Sequence, residues 1–243
     1  MQSFFYQTFL SEQDKNIFVI GGGGKSTLIK RLAHDAKNQG MTSIISSLFP
    51  LPFPFESSTL VSKDIELMRR QLKTELEKSR IIFIGKKLDK DHILPFTYKE
   101  LTKIINENPC DHFFIEADNT RGRSISGYEK VDMSIPFKIQ LTINVMGADA
   151  LNQHRNENWT LSKNRFLMQE PFMTPNHLAA MYVAHPKLVK LRKKNNHLIF
   201  FLNKVENLLV ENITIQLAKN LKLGGFEKVV LGSIFNSTLH HLK

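Results

Sequence analysis

The 243-residue chain holds one cysteine, one tryptophan and no long apolar run. A lone Cys110 excludes an internal disulfide and any cysteine-based zinc cluster, and it fits a reducing compartment. The longest apolar runs, such as Ile81 to Ile84 and Leu198 to Leu202, fall far short of the roughly 20 residues a membrane helix needs. Met1 to Leu10 shows neither a basic n-region nor a small-residue cleavage site. The expectation is therefore a cytoplasmic protein with no signal peptide and no membrane partner. Arginine is scarce: nine of the 33 basic residues, against 24 lysines. Aromatic residues are not interleaved with arginine, and no helix-turn-helix, zinc or RNA-recognition signature occurs, which argues against a nucleic-acid partner.

What the chain does have is an ordinary globular balance. Hydrophobic residues make up 42% and charged residues 23%, enough to bury a core without staples and too apolar for a disordered or fibrous protein. The formal charge of +10 is the unusual number. Asparagine and phenylalanine each number 18, so an AT-rich coding bias toward Lys, Asn and Phe accounts for much of it. The excess is also uneven. From His185 onward there are ten basic and three acidic residues, and Lys187 to Lys194 is a candidate docking patch for an acidic client.

Short apolar runs alternate with helical spacing. Strands are expected at Asn16 to Ile20, Thr42 to Ser46, Arg80 to Ile84, His112 to Ile115, Ile139 to Val145, His197 to Leu202 and Lys228 to Leu231. Helices are expected at Ser26 to Lys37, Ile65 to Lys78 with Ser62 as N-cap, Tyr98 to Asn106, Pro175 to Ala184 with Thr174 as N-cap, and Val210 to Leu221. Three prolines mark Leu48 to Phe55 as an extended loop, and Ala117 to about Lys130 reads as a polar loop. Strands apolar on both faces and separated by helices imply an α/β fold: a mostly parallel central sheet flanked by helices on both faces. One domain is expected over residues 1–243, with residues of about 150–195, including Trp159, Phe166 and Phe172, as a helical insertion or lid. In such sheets ligands sit at the carboxyl ends of strands, so chemistry should follow each apolar run.

It does. After the first strand come Gly21, Gly22, Gly23, Gly24, Lys25, Ser26 and Thr27, opening a helix. This is the placement of a P-loop, whose backbone N–H groups curl around phosphate oxygens at a helix N-terminus. Lys25 would reach the β- and γ-phosphates and Ser26 would hold Mg²⁺. The usual pattern has a further glycine where this chain has Val19, so Val19 should belong to the strand and the loop should be tighter. The strand His112 to Ile115 runs into Glu116 and Asp118, as a Walker B segment does; one carboxylate would meet the metal and the other orient water. Arg121 or Arg123 could then stabilise transferring charge. After the strand ending at Leu202 come Asn203, Lys204, Val205 and Glu206. Asn-Lys-x-Asp at this place reads guanine in GTPases, with Lys packed over the ring; here the acid is one methylene longer. His240-His241 lacks acidic or cysteine partners and reads as an exposed pair.

Taken together these residues resemble the YqeC family, described as selenium cofactor biosynthesis or selenium-dependent hydroxylase accessory proteins. The resemblance rests on Val19 to Thr27, Ile115 to Asp118 with the Arg121 neighbourhood, Val145 to Leu151, Met173 to Ala180 with His185-Pro186, and Leu202 to Glu206. It implies a P-loop NTPase-like protein that binds Mg²⁺ with GTP or ATP and serves maturation of molybdenum hydroxylases carrying labile selenium. Its partner would be such a hydroxylase or a cofactor-assembly protein. The chain departs from the pattern at Asn119, where glycine is usual and where asparagine tolerates left-handed backbone. It departs also at Glu206 for Asp and at Asn152 for Gly, and either His154-Arg155 or Asn164-Arg165 answers a His-Arg segment. Three readings follow: an NTPase assembly factor with slow turnover by itself, a small-molecule kinase or phosphoryl transferase, and a nucleotide binder without turnover.

Overall fold

The computed structural model describes residues 4–53, 58–107, 109–128, 137–160, 171–193 and 197–241, the side chain of His241 excepted. Two compact units emerge. The first comprises Met1–Phe18, Ile29–Ala117 and Asp132–Gln140; the second comprises Val19–Leu28, Asp118–Val131 and Leu141–Lys243. The strand β1 (Asn16–Gly21) and the helix α2 (Lys25–Asn38) contribute residues to both.

In the first unit, β2 (Ser43–Ser47), β4 (Thr59–Val61), β5 (Ile81–Gly85) and β8 (His112–Glu116) form parallel pairs in the order β8-β2-β5-β4. Every residue of β2, β5 and β8 is buried, as expected for strands covered on two faces. A separate antiparallel sheet joins β3 (Leu51–Pro52), β6 (Lys87–Asp89) and β7 (His92–Leu94). These short pieces, β4, and the helix α1 (Phe4–Phe9) were not expected, because none carries a sustained period. The helix α3 (Ile65–Ser79) starts at Ile65 as expected, but its cap is Asp64 and not Ser62: the Asp64 carboxylate accepts from the Glu66 N–H at 2.9 Å. Ser62 instead bonds the backbone of Asp64. The helix α4 (Tyr98–Asn106) opens on a reciprocal capping box of Thr97 and Glu100, worth about 1 kcal/mol.

In the second unit, β9 (Leu141–Gly147), β10 (His197–Asn203) and β11 (Lys228–Ser233) are parallel neighbours, and β12 (Thr238–His241) returns antiparallel to β11. The helices are α5 (Pro175–Ala184), α6 (Pro186–Lys193) and α7 (Leu208–Leu223). Thr174 caps α5 as expected, accepting from the His177 N–H at 3.3 Å. The basic run from Lys187 is itself the helix α6, whose Leu188 and Leu191 are buried; Lys194 lies outside the described residues. The fold is thus α/β with a mostly parallel sheet, and the glycine loop lies between strand β1 and helix α2 as in P-loop NTPases. No helix among the described residues is long and apolar enough to cross a membrane.

One core histidine gives the first unit a pH response. His112 is fully buried; its Nδ1 lies 2.8 Å from the Asp14 carbonyl and its Nε2 2.9 Å from the Tyr6 hydroxyl. Nδ1 therefore carries the proton, and Nε2 accepts from Tyr6, whose hydroxyl burial pushes up to about 12. Burial lowers the His112 pKa below its ordinary 6.5. The unfolded chain then takes up a proton that the folded chain refuses. Stability from this site is complete above pH 6.5 and is lost as pH falls below it, with a slope of at most about 1.4 kcal/mol per pH unit. Melting wild type and His112→Gln between pH 7.5 and 5 should show the wild-type advantage shrinking with acid. A constant difference would place the acid response elsewhere.

Candidate functional site

Residues from the carboxyl ends of β1, β9 and β10 meet in the second unit. Val19 is fully buried in β1, so the loop is reached without the extra glycine, as its sequence suggested. The loop is braced by the protein's own backbone. The Gly22 N–H donates to the Val145 carbonyl at 2.8 Å, and the Gly23 N–H to the Arg123 carbonyl at 2.9 Å. Both bonds demand close approach. A Cβ on Gly21 would sit 2.0 Å from the Val145 oxygen, and one on Gly23 would sit 2.3 Å from the Gly147 nitrogen. Gly21 and Gly23 also have φ of 94° and 74°, values that side-chain-bearing residues rarely adopt. These constraints explain an unbroken run of glycines better than flexibility does.

Lys25 is the first residue of α2 and is buried. Its ammonium folds back over the loop, donating to the Gly21 carbonyl at 2.8 Å and to the Thr120 hydroxyl at 3.3 Å. Ser26 and Thr27 follow on the exposed side of the helix start. Asp118 is buried, and its Oδ2 accepts from the Gly21 N–H at 3.3 Å and from the Ser126 hydroxyl. The Walker-like carboxylate is thus tied to the glycine loop itself. Glu116, the other candidate, ends β8 in the first unit; it is buried, and its carbonyl accepts from the Leu48 N–H and the Ser47 hydroxyl.

Behind Asp118 runs a buried polar chain. The Ser126 hydroxyl oxygen accepts from the Tyr128 N–H at 2.9 Å, and the Tyr128 hydroxyl donates to Asn144 Oδ1 at 2.7 Å. Burial raises the pKa of Tyr128 well above the ordinary 10, and that of Tyr182 beside it, so both stay protonated donors. Asn144 Nδ2 is buried and lacks a hydrogen-bond partner among the described residues. Sequence reasoning missed Thr120, Ser126 and Asn144. Only Asn144 left a signal, as a polar residue inside an apolar strand.

The arginines divide. Arg123 is spent on neighbouring backbone, donating to the Arg121 carbonyl of its own loop and to the Glu157 carbonyl of the segment after β9, each at 2.9 Å. Arg121 is exposed with φ 50°. Left-handed backbone falls on Arg121 and Gly122 rather than on Asn119, whose side chain instead accepts from the Arg121 N–H at 3.1 Å. Asn152 does take the left-handed backbone that glycine would supply, with φ 58°.

The Asn-Lys-x-Glu segment is drawn into the loop's support. Asn203 is buried, and its Nδ2 donates to the Gly23 carbonyl at 2.7 Å while its Oδ1 accepts from the Ile234 N–H at 3.1 Å. The Lys204 ammonium pairs with Asp149 at 2.7 Å and donates to the Ser124 hydroxyl at 3.1 Å. Glu206 is exposed, its Oε1 3.5 Å from the Ser233 hydroxyl. His154 bridges to Phe172, whereas Asn164-Arg165 and Phe166 lie outside the described residues. No group of three or more His, Cys, Asp or Glu side chains among the described residues is gathered as a metal ligand set. The exposed Ser26 hydroxyl and the Asp118 carboxylate are the hard oxygen donors beside the loop, the donor type Mg²⁺ takes when substrate phosphates and water complete its shell.

Among solved structures, FtsY of Mycoplasma mycoides aligns over 100% of this chain and 68% of its own, at 12% identity and a TM-score of 0.45. The signal recognition particle receptor FtsY of Elizabethkingia anophelis aligns over 98% of this chain and 67% of its own, at 12% identity and a TM-score of 0.42. No curated protein matches. The model of the YqeC protein family matches residues 17–163, a span that takes in the glycine loop, the Glu116 to Asp118 segment and the Gly147 to Asp149 turn. The chain belongs to the YqeC protein family.

Proposed function

We propose that the second unit binds a nucleoside triphosphate, GTP or ATP, together with Mg²⁺, and hydrolyses it slowly in the service of an assembly step. One observation carries this reading: a braced glycine loop opens directly onto α2, with the Lys25 ammonium folded over it. A bound phosphate would meet a helix N-terminus and a cation at one place. Lys25 would transfer its ammonium from the Gly21 carbonyl to phosphate oxygens. Ser26 and Asp118 would hold Mg²⁺, with Arg121 the available guanidinium. When bound, the metal neutralises charge building on the β- and γ-oxygens. Glu206 is the candidate edge reader for the base. Membership of the YqeC family supports a place in maturation of selenium-dependent molybdenum hydroxylases, with the hydroxylase or a cofactor-assembly protein as client.

A nucleotide-panel thermal shift with and without Mg²⁺ tests the reading. At a hundred times the dissociation constant, a ligand stabilises by about 2.7 kcal/mol. For a chain of this size, that raises the melting temperature by several degrees. A rise with GTP alone would favour Glu206 as a guanine reader; no rise with any nucleoside triphosphate would overturn the proposal.

A further inference from the structure

Phe235 is the most exposed of the large apolar side chains among the described residues, at 89%. It sits in the turn Ile234 to Ser237 between β11 and β12. The turn that carries it is not loosely held. The Ser237 N–H closes it onto the Ile234 carbonyl at 3.3 Å, and the Asn236 N–H donates to the Ser233 hydroxyl at 3.1 Å.

The turn is also bolted to the glycine loop. Asn203 holds the Gly23 carbonyl with one end of its amide and the Ile234 N–H with the other. A Cβ placed on Gly24 would lie in ordinary contact, 3.8 Å, with Ile234 Cδ1. The Val205 N–H donates to the Gly232 carbonyl at 3.0 Å, which brings the Glu206 segment against the same hairpin. Ile234 is thus buried beside the last glycine of the loop, and the next residue turns an aromatic ring into solvent.

We propose that Phe235 is a stacking platform for the base of a nucleotide whose phosphates lie in the glycine loop. The inference rests on the nucleotide reading above and deepens it by naming a contact to the ligand's other end. Stacking uses the π-face that every base has, so Phe235 adds affinity for adenine and guanine alike, and discrimination is left to groups at the base edge. The proposed partner of the ring is a flat heterocycle, since the turn that carries it is anchored through Asn203 to the glycine loop where the phosphates would lie.

The experiment compares three ligands by calorimetry in Mg²⁺: ATP, GTP and inorganic tripolyphosphate, which has the phosphates and no base. Phe235→Ala is expected to weaken ATP and GTP about tenfold and to leave tripolyphosphate unchanged. Phe235→Trp should retain nucleotide affinity, with indole emission changed by ATP and GTP and not by tripolyphosphate. Unchanged ATP and GTP affinity in Phe235→Ala overturns the platform while leaving the phosphate site standing. An equal loss for all three ligands overturns it too, since that marks damage to the loop. A wild type that binds none of the three overturns the nucleotide reading, and the platform falls with it.

Discussion

Gly21→Ala is expected to lower the melting temperature by about 10 °C or more. A methyl group there would lie 2.0 Å from the Val145 carbonyl oxygen, 2.8 Å from the Val145 nitrogen and 2.9 Å from Asn144 Oδ1. Two of these are backbone atoms of β9, so no rotamer change relieves the clash. The φ of 94° adds strain of about 1–3 kcal/mol. Together they place the change with the rare substitutions that cost above about 4 kcal/mol. At 2–4 °C per kcal/mol for a chain of this size, that is the stated drop. Gly122→Ala is the control. Gly122 has φ 80°, and a Cβ there would meet nothing within 4 Å, so only the strain remains. Scanning calorimetry on both variants separates crowding from strain; equal shifts would show that the loop's contact with β9 does not constrain Gly21.

Lys25→Ala should reduce affinity for ATP and GTP at least a hundredfold, measured by titration calorimetry in Mg²⁺. The structure places the ammonium over the loop, donating to the Gly21 carbonyl and the Thr120 hydroxyl. On the proposed reading, removing it would leave phosphate charge to the helix start, the metal and Arg121. The unliganded fold should lose about 1.5–3 kcal/mol for each charge-assisted hydrogen bond removed, so a melt of the variant accompanies the titration to separate weak binding from unfolding. A variant that binds with wild-type affinity would remove Lys25 from the site.

Much of this arrangement was legible because parallel strands announce themselves. Ile81 to Ile84, Phe113 to Ile115 and Ile199 to Leu202 are apolar throughout because both their faces are buried, and the polar residues after them sit at one end of their strands. What stayed hidden has no such period. β6 is three exposed residues, and β12 is an edge strand returning from a turn. The helix α6 was masked by its lysines, which drew attention to charge while Leu188 and Leu191 marked its buried face. Within the site, Lys25 and Asp118 follow from motif and position. Thr120 and Ser126 do not, because a hydroxyl in a polar loop looks the same whether it holds a functional group or water. The motif makes Asn203 a nucleotide-binding candidate; its amide instead bonds Gly23 and Ile234, a pairing of residues far apart in sequence that no local pattern reveals.

The two loop N–H groups committed to Val145 and Arg123 would set the entropy of the proposed binding. A glycine-rich loop closing on phosphate only when ligand arrives would lose about 1–2 kcal/mol of backbone freedom for each residue fixed. Here that loss is already borne by folding, since the loop's shape is held by β9 and by the 123–124 segment. A phosphate bound there as proposed would find a loop whose shape is already set. Its binding free energy would not be diverted into ordering the loop, and the affinity would reflect the contacts themselves.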